Sequence, residues 1–374
     1  MKVLIAGGGI AGPAAGIALA RAGIGSEIYE AYPREAGGAG AFLTLTANGQ
    51  EALRAIGAAG PVLDASFPAT RLRLFDPRGT MTGDFPLGQD RPCSRTITRA
   101  GLSAVLRREA AARGVPVRYG KRLTSAEAGP DGQVTAIFDD GTRVVGDLLI
   151  GADGIHSPVR ALIDPAAPAP RFIGLVIACG YAPGAQDAAG AEGYSMYYGS
   201  RAFFGCTAGP DGRTWWFARI PADEAAAAAM TASGDPDLVA RSFDGDATPA
   251  AAVIRATPGP LSVTSARDIA HLPAWSDRGM IVIGDAAHPV SPRTTQGASL
   301  AIEDAAVLAE CLRDDPSPGA AFAAFERRRR EQVESVVRSG GGDENPAPRA
   351  RPAGGSQAES AGRGADGTIR SVRD

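Results

Sequence analysis

Lysine is nearly absent from this chain: Lys2 and Lys121 are the only two in 374 residues. Arginine carries the positive charge instead, and 38 basic against 41 acidic residues leave a net charge of only -3. So balanced a surface has no basic footprint, which argues against nucleic acid and against stable membrane association. Cysteine is sparse as well. Cys93, Cys179, Cys206 and Cys311 lie far apart with no C-x-x-C pair, so neither a zinc site nor a disulfide framework is expected, and no metal. That usage fits a reducing cytoplasm. No apolar run reaches the ~20 residues that a bilayer span requires. The apolar stretch at 3–20 is broken by glycines and lacks a cleavage context, so it reads as structure rather than as a leader.

The chain is long enough for a large core and two domains, with ordinary apolar (44%) and charged (21%) fractions. Residues 2–6 (Lys-Val-Leu-Ile-Ala) form an apolar run of the buried parallel-strand type. A glycine turn, a helix to about Ala22 and a second strand at 26–30 complete a β-α-β unit. Helices are expected at 47–57 and 99–113. From Val117 to Val145 short alternating runs broken by Gly-Pro-Asp-Gly and Asp-Asp-Gly read as a β-meander. It leads into a buried strand, Asp147 to Ile150. Residues 170–220 are rich in aromatics, among them Tyr194, Tyr197, Tyr198, Phe203, Phe204, Trp215, Trp216 and Phe217, and predict a separate sheet joined by strands from 69–98. These rings are equally a sheet core or a cavity lining. Met280 to Ile283 is a further buried strand, followed by helices at 297–312 and 322–337. Beyond Ser339 the composition turns to Gly, Pro, Ser and balanced charge, which predicts a disordered tail.

Three separated segments carry the chemistry: Gly7-Gly8-Gly9-Ile10-Ala11-Gly12, Gly151-Ala152-Asp153-Gly154, and Gly284-Asp285-Ala286-Ala287-His288-Pro289. Gly7, Gly9 and Gly12 supply a tight turn, close backbone approach to a pyrophosphate, and close helix–strand packing. The following helix start, at Ala11, offers N–H groups and a positive dipole end to phosphate. Glu30 closes the second strand, where a carboxylate accepts ribose hydroxyls, favouring FAD or NAD over NADP in that pocket. The turn alone does not separate FAD from NAD.

Taken together, the segments resemble those of single-component flavoprotein monooxygenases of the para-hydroxybenzoate hydroxylase type, including the tetracycline- and polyketide-hydroxylase branches. The resemblance extends to about residue 339. Gly7-x-Gly9-x-x-Gly12 with Glu30 matches the FAD-adenosine site, and Gly38-Ala39-Gly40 with Asn48 and Leu53 matches the region after it. Arg99 matches an arginine that contacts FAD in these enzymes, and Asp153-Gly154 matches a second fingerprint tied to FAD and to NAD(P)H use. Asp285 matches the aspartate of the ribityl chain, and Gly297-Ala298 opens the helix beside the flavin ring. Arg99 also reads as a solvated helix start, and Asp285 as a helix N-cap. One departure is local. Arg293-Thr294-Thr295-Gln296-Gly297 stands where related sequences often carry Gly-Gly-Gln-Gly, and an arginine there is a candidate partner for an acidic substrate group. Of the three histidines, His288 reads as loop packing and His156 as more structural than nucleotide-binding.

The resemblance implies an α/β protein: a Rossmann-like FAD-binding domain (1–68, 99–165 and 270–339) interrupted by a β-sheet-rich substrate domain (69–98 and 166–269), with 340–374 as the tail. It implies an FAD-dependent monooxygenase that uses NADPH or NADH and O2 to hydroxylate or epoxidise an organic, secondary-metabolite substrate through a C4a-hydroperoxyflavin. The cofactor then does the hard chemistry, which agrees with the absence of an obvious acid–base dyad. No obligatory protein partner is expected. The alternatives are a flavin-dependent reductase or redox-neutral cyclase on the same fold, and a non-catalytic FAD-binding accessory protein. A halogenase is disfavoured: Trp216-Phe217-Ala218-Arg219-Ile220-Pro221 lacks that family's second tryptophan, and neither lysine is well placed.

Overall fold

The computed structural model describes residues 1–33, 41–88, 92–184, 193–315 and 317–340. The Gly38-Ala39-Gly40 segment and residues 341–374 of the expected tail lie outside the described residues, while Gly340 closes the last helix, Pro318–Gly340.

The first unit is built on a six-stranded sheet. Its order is Ser276–Asp277, Met280–Val282, Leu148–Gly151, Lys2–Ala6, Gly25–Glu30 and Val117–Tyr119. All neighbours run parallel except the Ser276–Asp277 edge. The central strands are apolar at nearly every position because both faces are covered. Helices Ala11–Arg21, Arg99–Ala112 and Gly297–Asp314 form one layer, with Pro318–Gly340 packed behind. A three-stranded meander, Leu123–Ala128, Val134–Phe138 and Arg143–Gly146, covers the other, with Phe138 stacked on Tyr29 at 4.7 Å. Val117–Tyr119 was expected to open this meander. It instead extends the parallel sheet beside Gly25–Glu30, where the helix Arg99–Ala112 delivers it.

Register fixes the position of the glycine segments. Ala6 pairs with Gly151 and Gly151 with Val282, so three parallel strands end side by side. Each of the three segments follows one of those ends. The carboxyl edge of a parallel sheet is where this architecture binds ligands.

The second unit is a seven-stranded sheet in the order Ser262–Asp268, Arg171–Ala182, Thr214–Pro221, Phe203–Ala208, Gly193–Tyr198, Arg71–Phe75 and Met81–Pro86. Only the Gly193–Tyr198/Arg71–Phe75 pair is parallel. Alternation divides its side chains between two faces. Val176, Ala178, Phe204, Trp216, Ala218 and Ile220 pack beneath helices Glu224–Ser233, Pro236–Ala240 and Ala250–Arg255 as a second core. Trp215 and Phe217 point the other way and meet Phe42, with ring centroids at 5.7 and 5.9 Å. Phe42 belongs to a small sheet in which Arg95–Thr98 pairs with Phe42–Leu45 and Phe67–Pro68. Tyr194 ties the two units together, its hydroxyl 2.7 Å from Oγ1 of Thr96.

Candidate functional site

The glycine turn is shaped by close backbone approaches. Gly7 has φ +107, and its N–H donates to the Tyr29 carbonyl at 2.8 Å. A Cβ on Gly7 would lie 2.3 Å from the Ala152 carbonyl oxygen, so the first and second segments touch only because this residue is glycine. A Cβ on Gly12 would lie 1.9 Å from the Gly7 carbonyl oxygen. Gly9 differs: a Cβ there would meet nothing within 4 Å. The helix Ala11–Arg21 then starts from Ile10 without a side-chain cap and without an acidic residue in its first turn. Pro13 has no N–H, so the amides of Ala11 and Gly12 are its free donors. On the other side of the turn, Ser103 Oγ donates to the Gly9 carbonyl at 2.8 Å and Arg107 to the Gly8 carbonyl at 3.2 Å. Sequence reasoning missed both residues. Glu30 accepts from Gly8 N–H at 2.6 Å and from Tyr32 N–H at 2.9 Å, which holds its carboxylate against the turn.

The second segment faces inward more than expected. Oδ2 of Asp153 accepts from the Val159 N–H at 3.1 Å, at the start of the short helix Pro158–Ile163. Oδ1 is buried without a hydrogen-bond partner among the described residues, and burial pushes this carboxyl up. Gly154 follows with φ +80 and open space around it. Arg160, not singled out from sequence, joins the second and third segments by donating to the carbonyls of Ile155 at 2.6 Å and Ala286 at 3.0 Å. His156 is exposed nearby.

Asp285 sits in a 3-10 turn, Gly284–Ala286, directly after the Met280–Val282 strand. It caps no helix. Its Oδ2 lies 3.9 Å from Nη2 of Arg99, the first residue of its helix, and both side chains keep substantial exposure. Gly297 adjoins this pair, since a Cβ there would lie 3.8 Å from Oδ1 of Asp285. The helix Gly297–Asp314 begins at Gln296 without a side-chain cap or an acidic first turn, leaving the amides of Gly297 and Ala298 unpaired within the helix.

Beneath this edge runs a buried polar network that sequence reasoning did not find. Asp304 accepts from Gly284 N–H at 2.9 Å and from Arg329 Nε at 2.7 Å, with His288 Nε2 at 2.5 Å. Arg329 also reaches Glu303 at 2.7 Å, and Glu303 accepts from Asn48. His288 is therefore a packing residue of the third segment, as its sequence context implied.

The arrangement offers free amides at two uncapped helix starts, an open approach at Gly9, and an exposed carboxylate beside an exposed guanidinium. It fits an extended ligand carrying phosphates at one end and hydroxyls further along. The comparisons agree. The family described as FAD binding domain matches residues 1–339. An aurachin C monooxygenase/isomerase of Stigmatella aurantiaca is 32% identical over 346 residues, 90% of this chain and 87% of the relative. A 3-amino-4-hydroxybenzoate 2-monooxygenase of Streptomyces platensis is 32% identical over 358 residues, 90% and 86%. The crystal structure of Klebsiella pneumoniae HpxO with FAD and uric acid superimposes with a TM-score of 0.81 at 27% identity, covering 91% of this chain and 87% of that one.

Proposed function

The chain belongs to the flavoprotein family of the FAD binding domain, and on that premise we propose which of its residues hold FAD and what the complex does. It is an FAD-dependent monooxygenase. The amides of Ala11 and Gly12 would hold the pyrophosphate, with Gly9 leaving its approach open, and Glu30 would take the adenosine ribose. Asp285 accepts the ribityl hydroxyls, and Arg99 beside it offers its fork to phosphate. The amides of Gly297 and Ala298 would serve the ring, since a helix start favours negative charge. The backbone of Ala152 and Asp153 backs the Gly7 turn, and Gly154 leaves open space beside it. When bound, the flavin supplies hydride acceptance and oxygen activation.

This chain's own residues bind, orient and exclude water. NADPH or NADH donates the electrons, and an organic substrate, aromatic as for several relatives, lies between the FAD-binding unit and the aromatic face of the larger sheet. The substrate domain comprises 69–98 and 166–269. All four cysteines are free thiols, which supports a cytoplasmic location. The observation that carries the reading is the alignment of three strand ends at one carboxyl edge, each bearing one glycine segment.

The test is anaerobic reduction of the FAD-loaded protein by NADPH and by NADH, with a panel of aromatic metabolites. Bleaching that one compound accelerates, followed by reoxidation with oxygenated product, is the expected result. A flavin that neither nicotinamide bleaches under any condition would overturn the single-component assignment in favour of a partner-reduced enzyme, a cyclase or an accessory protein.

A further inference from the structure

Arg219 lies two residues after Phe217 on the strand Thr214–Pro221, so alternation puts it on the sheet face that meets the FAD-binding unit. In register it opposes Phe203, and its guanidinium carbon sits 3.8 Å from that ring's centroid. Phe203 in turn contacts Tyr198 at 5.0 Å and Phe217 at 5.8 Å. The guanidinium therefore rests on a floor of aromatic rings, half-buried.

What it lacks, among the described residues, is a counter-charge. Arg329 is buried against two carboxylates and Arg160 against two carbonyls, and the half-buried Arg95 donates to a hydroxyl and two carbonyls. Among the described residues no hydrogen bond or ion pair reaches Arg219. A second positive charge works against it. Burial pushes the Arg219 guanidinium down to about 10, with Tyr198 opposing the shift and Arg293 adding a smaller push, and it stays charged at neutral pH. Arg293 stands in the turn Pro292–Thr294, immediately before the Gly297 helix start. Arg219 thus sits on the aromatic face with Arg293 as a further positive charge in its field, and an uncompensated half-buried charge is a cost that structure alone does not explain.

We infer that Arg219 is the substrate-binding residue that receives an anionic oxygen, a carboxylate or acidic enolate, of a planar substrate stacked on the aromatic face, with Arg293 strengthening the field. The inference rests on the flavin site proposed above and narrows its substrate to acids. A guanidinium fork matches a carboxylate bidentately and its flat face matches the ring beneath it.

The test uses the FAD-loaded protein without nicotinamide. 2-Naphthoate, quinoline-2-carboxylate and anthraquinone-2-carboxylate are titrated beside their neutral amides, read by tryptophan quenching and flavin absorbance. At least one acid is expected to bind ten-fold or more tightly than its amide. Arg219→Met should abolish that preference while keeping FAD and melting no lower than wild type, and Arg219→Lys should retain part of it. The inference is overturned if no acid is preferred over its amide, if Arg219→Met keeps the preference, or if that variant melts several degrees lower, which marks a structural arginine. A protein that holds no FAD sinks the flavin site itself; one that holds FAD without acid preference sinks only the role of Arg219.

Discussion

Nε2 of His288 lies 2.5 Å from Oδ2 of Asp304, with both side chains buried, and the same carboxylate holds Gly284 N–H and Arg329. The loop that carries Asp285 is thereby clamped to the two last helices. Burial opposes ionisation of Asp304, but His288 and the Arg329 guanidinium beside it, with the hydrogen bond from Gly284, outweigh it, so the carboxyl sits well below the usual range. Asp304→Asn leaves Arg329 short of a counter-charge and should cost about 3–5 kcal/mol. The pH dependence follows from the sign. A depressed carboxyl contributes stability that is present above its unfolded value near ~4 and is lost as pH falls below it. Urea titrations at pH 7 and pH 3.5 should show wild type losing more stability than Asp304→Asn; equal losses would mean that Asp304 is not the group responsible.

Gly9 and Gly12 separate folding from cofactor binding. Gly12→Ala drives a methyl into the Gly7 carbonyl, so the turn itself must move. Gly9→Ala meets no protein atom. The apo form of Gly12→Ala should therefore unfold at lower urea, whereas Gly9→Ala should match wild type without FAD and bind FAD at least ten-fold more weakly. Unchanged FAD affinity in Gly9→Ala would remove the pyrophosphate from this side of the turn.

Sequence reasoning found what is local. The apolar strands, the glycine turns and the helix starts at Arg99 and Gly297 follow from runs and spacings within a few residues of one another. The proximity of Arg99 to Asp285 depends on strand order and register, which no local pattern encodes. Asp304 and Arg329 left one faint signal, charges on the inner faces of their helices, but a charged residue in a helix is ordinarily solvated. Arg160 was hidden in the same way. The helix Glu224–Ser233 escaped because an alanine run has no polar contrast; its ends are marked only by the cap at Asp223 and the left-handed Gly234. Val117–Tyr119 was misplaced because three residues do not reveal which sheet they join.

Asp285 and Arg99 are 3.9 Å apart and partly exposed, so their mutual attraction contributes only about 0–1 kcal/mol to the fold. Asp285→Ala should leave apo stability almost unchanged. Losing hydrogen bonds from hydroxyls to a carboxylate costs about 1.5–3 kcal/mol, so FAD should bind roughly 10–100-fold more weakly. Fluorescence titration of the apoprotein with FAD checks this. An unaltered dissociation constant would return Asp285 to a structural role.

Thr295 occupies a left-handed conformation, φ 54 and ψ 18, where a β-branched residue is strained by about 1–2 kcal/mol. Its hydroxyl donates to the Thr294 carbonyl at 2.7 Å, which recovers part of that. Thr295→Gly should stabilise this protein by about 0.5–1 kcal/mol once the greater freedom of glycine in the unfolded chain is subtracted. Retaining threonine makes sense if a stiff turn is needed to fix the direction of Arg293, two residues earlier. The same substitution should then weaken the preference for acids over amides while raising Tm. A variant with higher Tm and full acid preference would show that the strain serves something other than aiming Arg293, and one with unchanged Tm would show that the left-handed turn carries no strain to relieve.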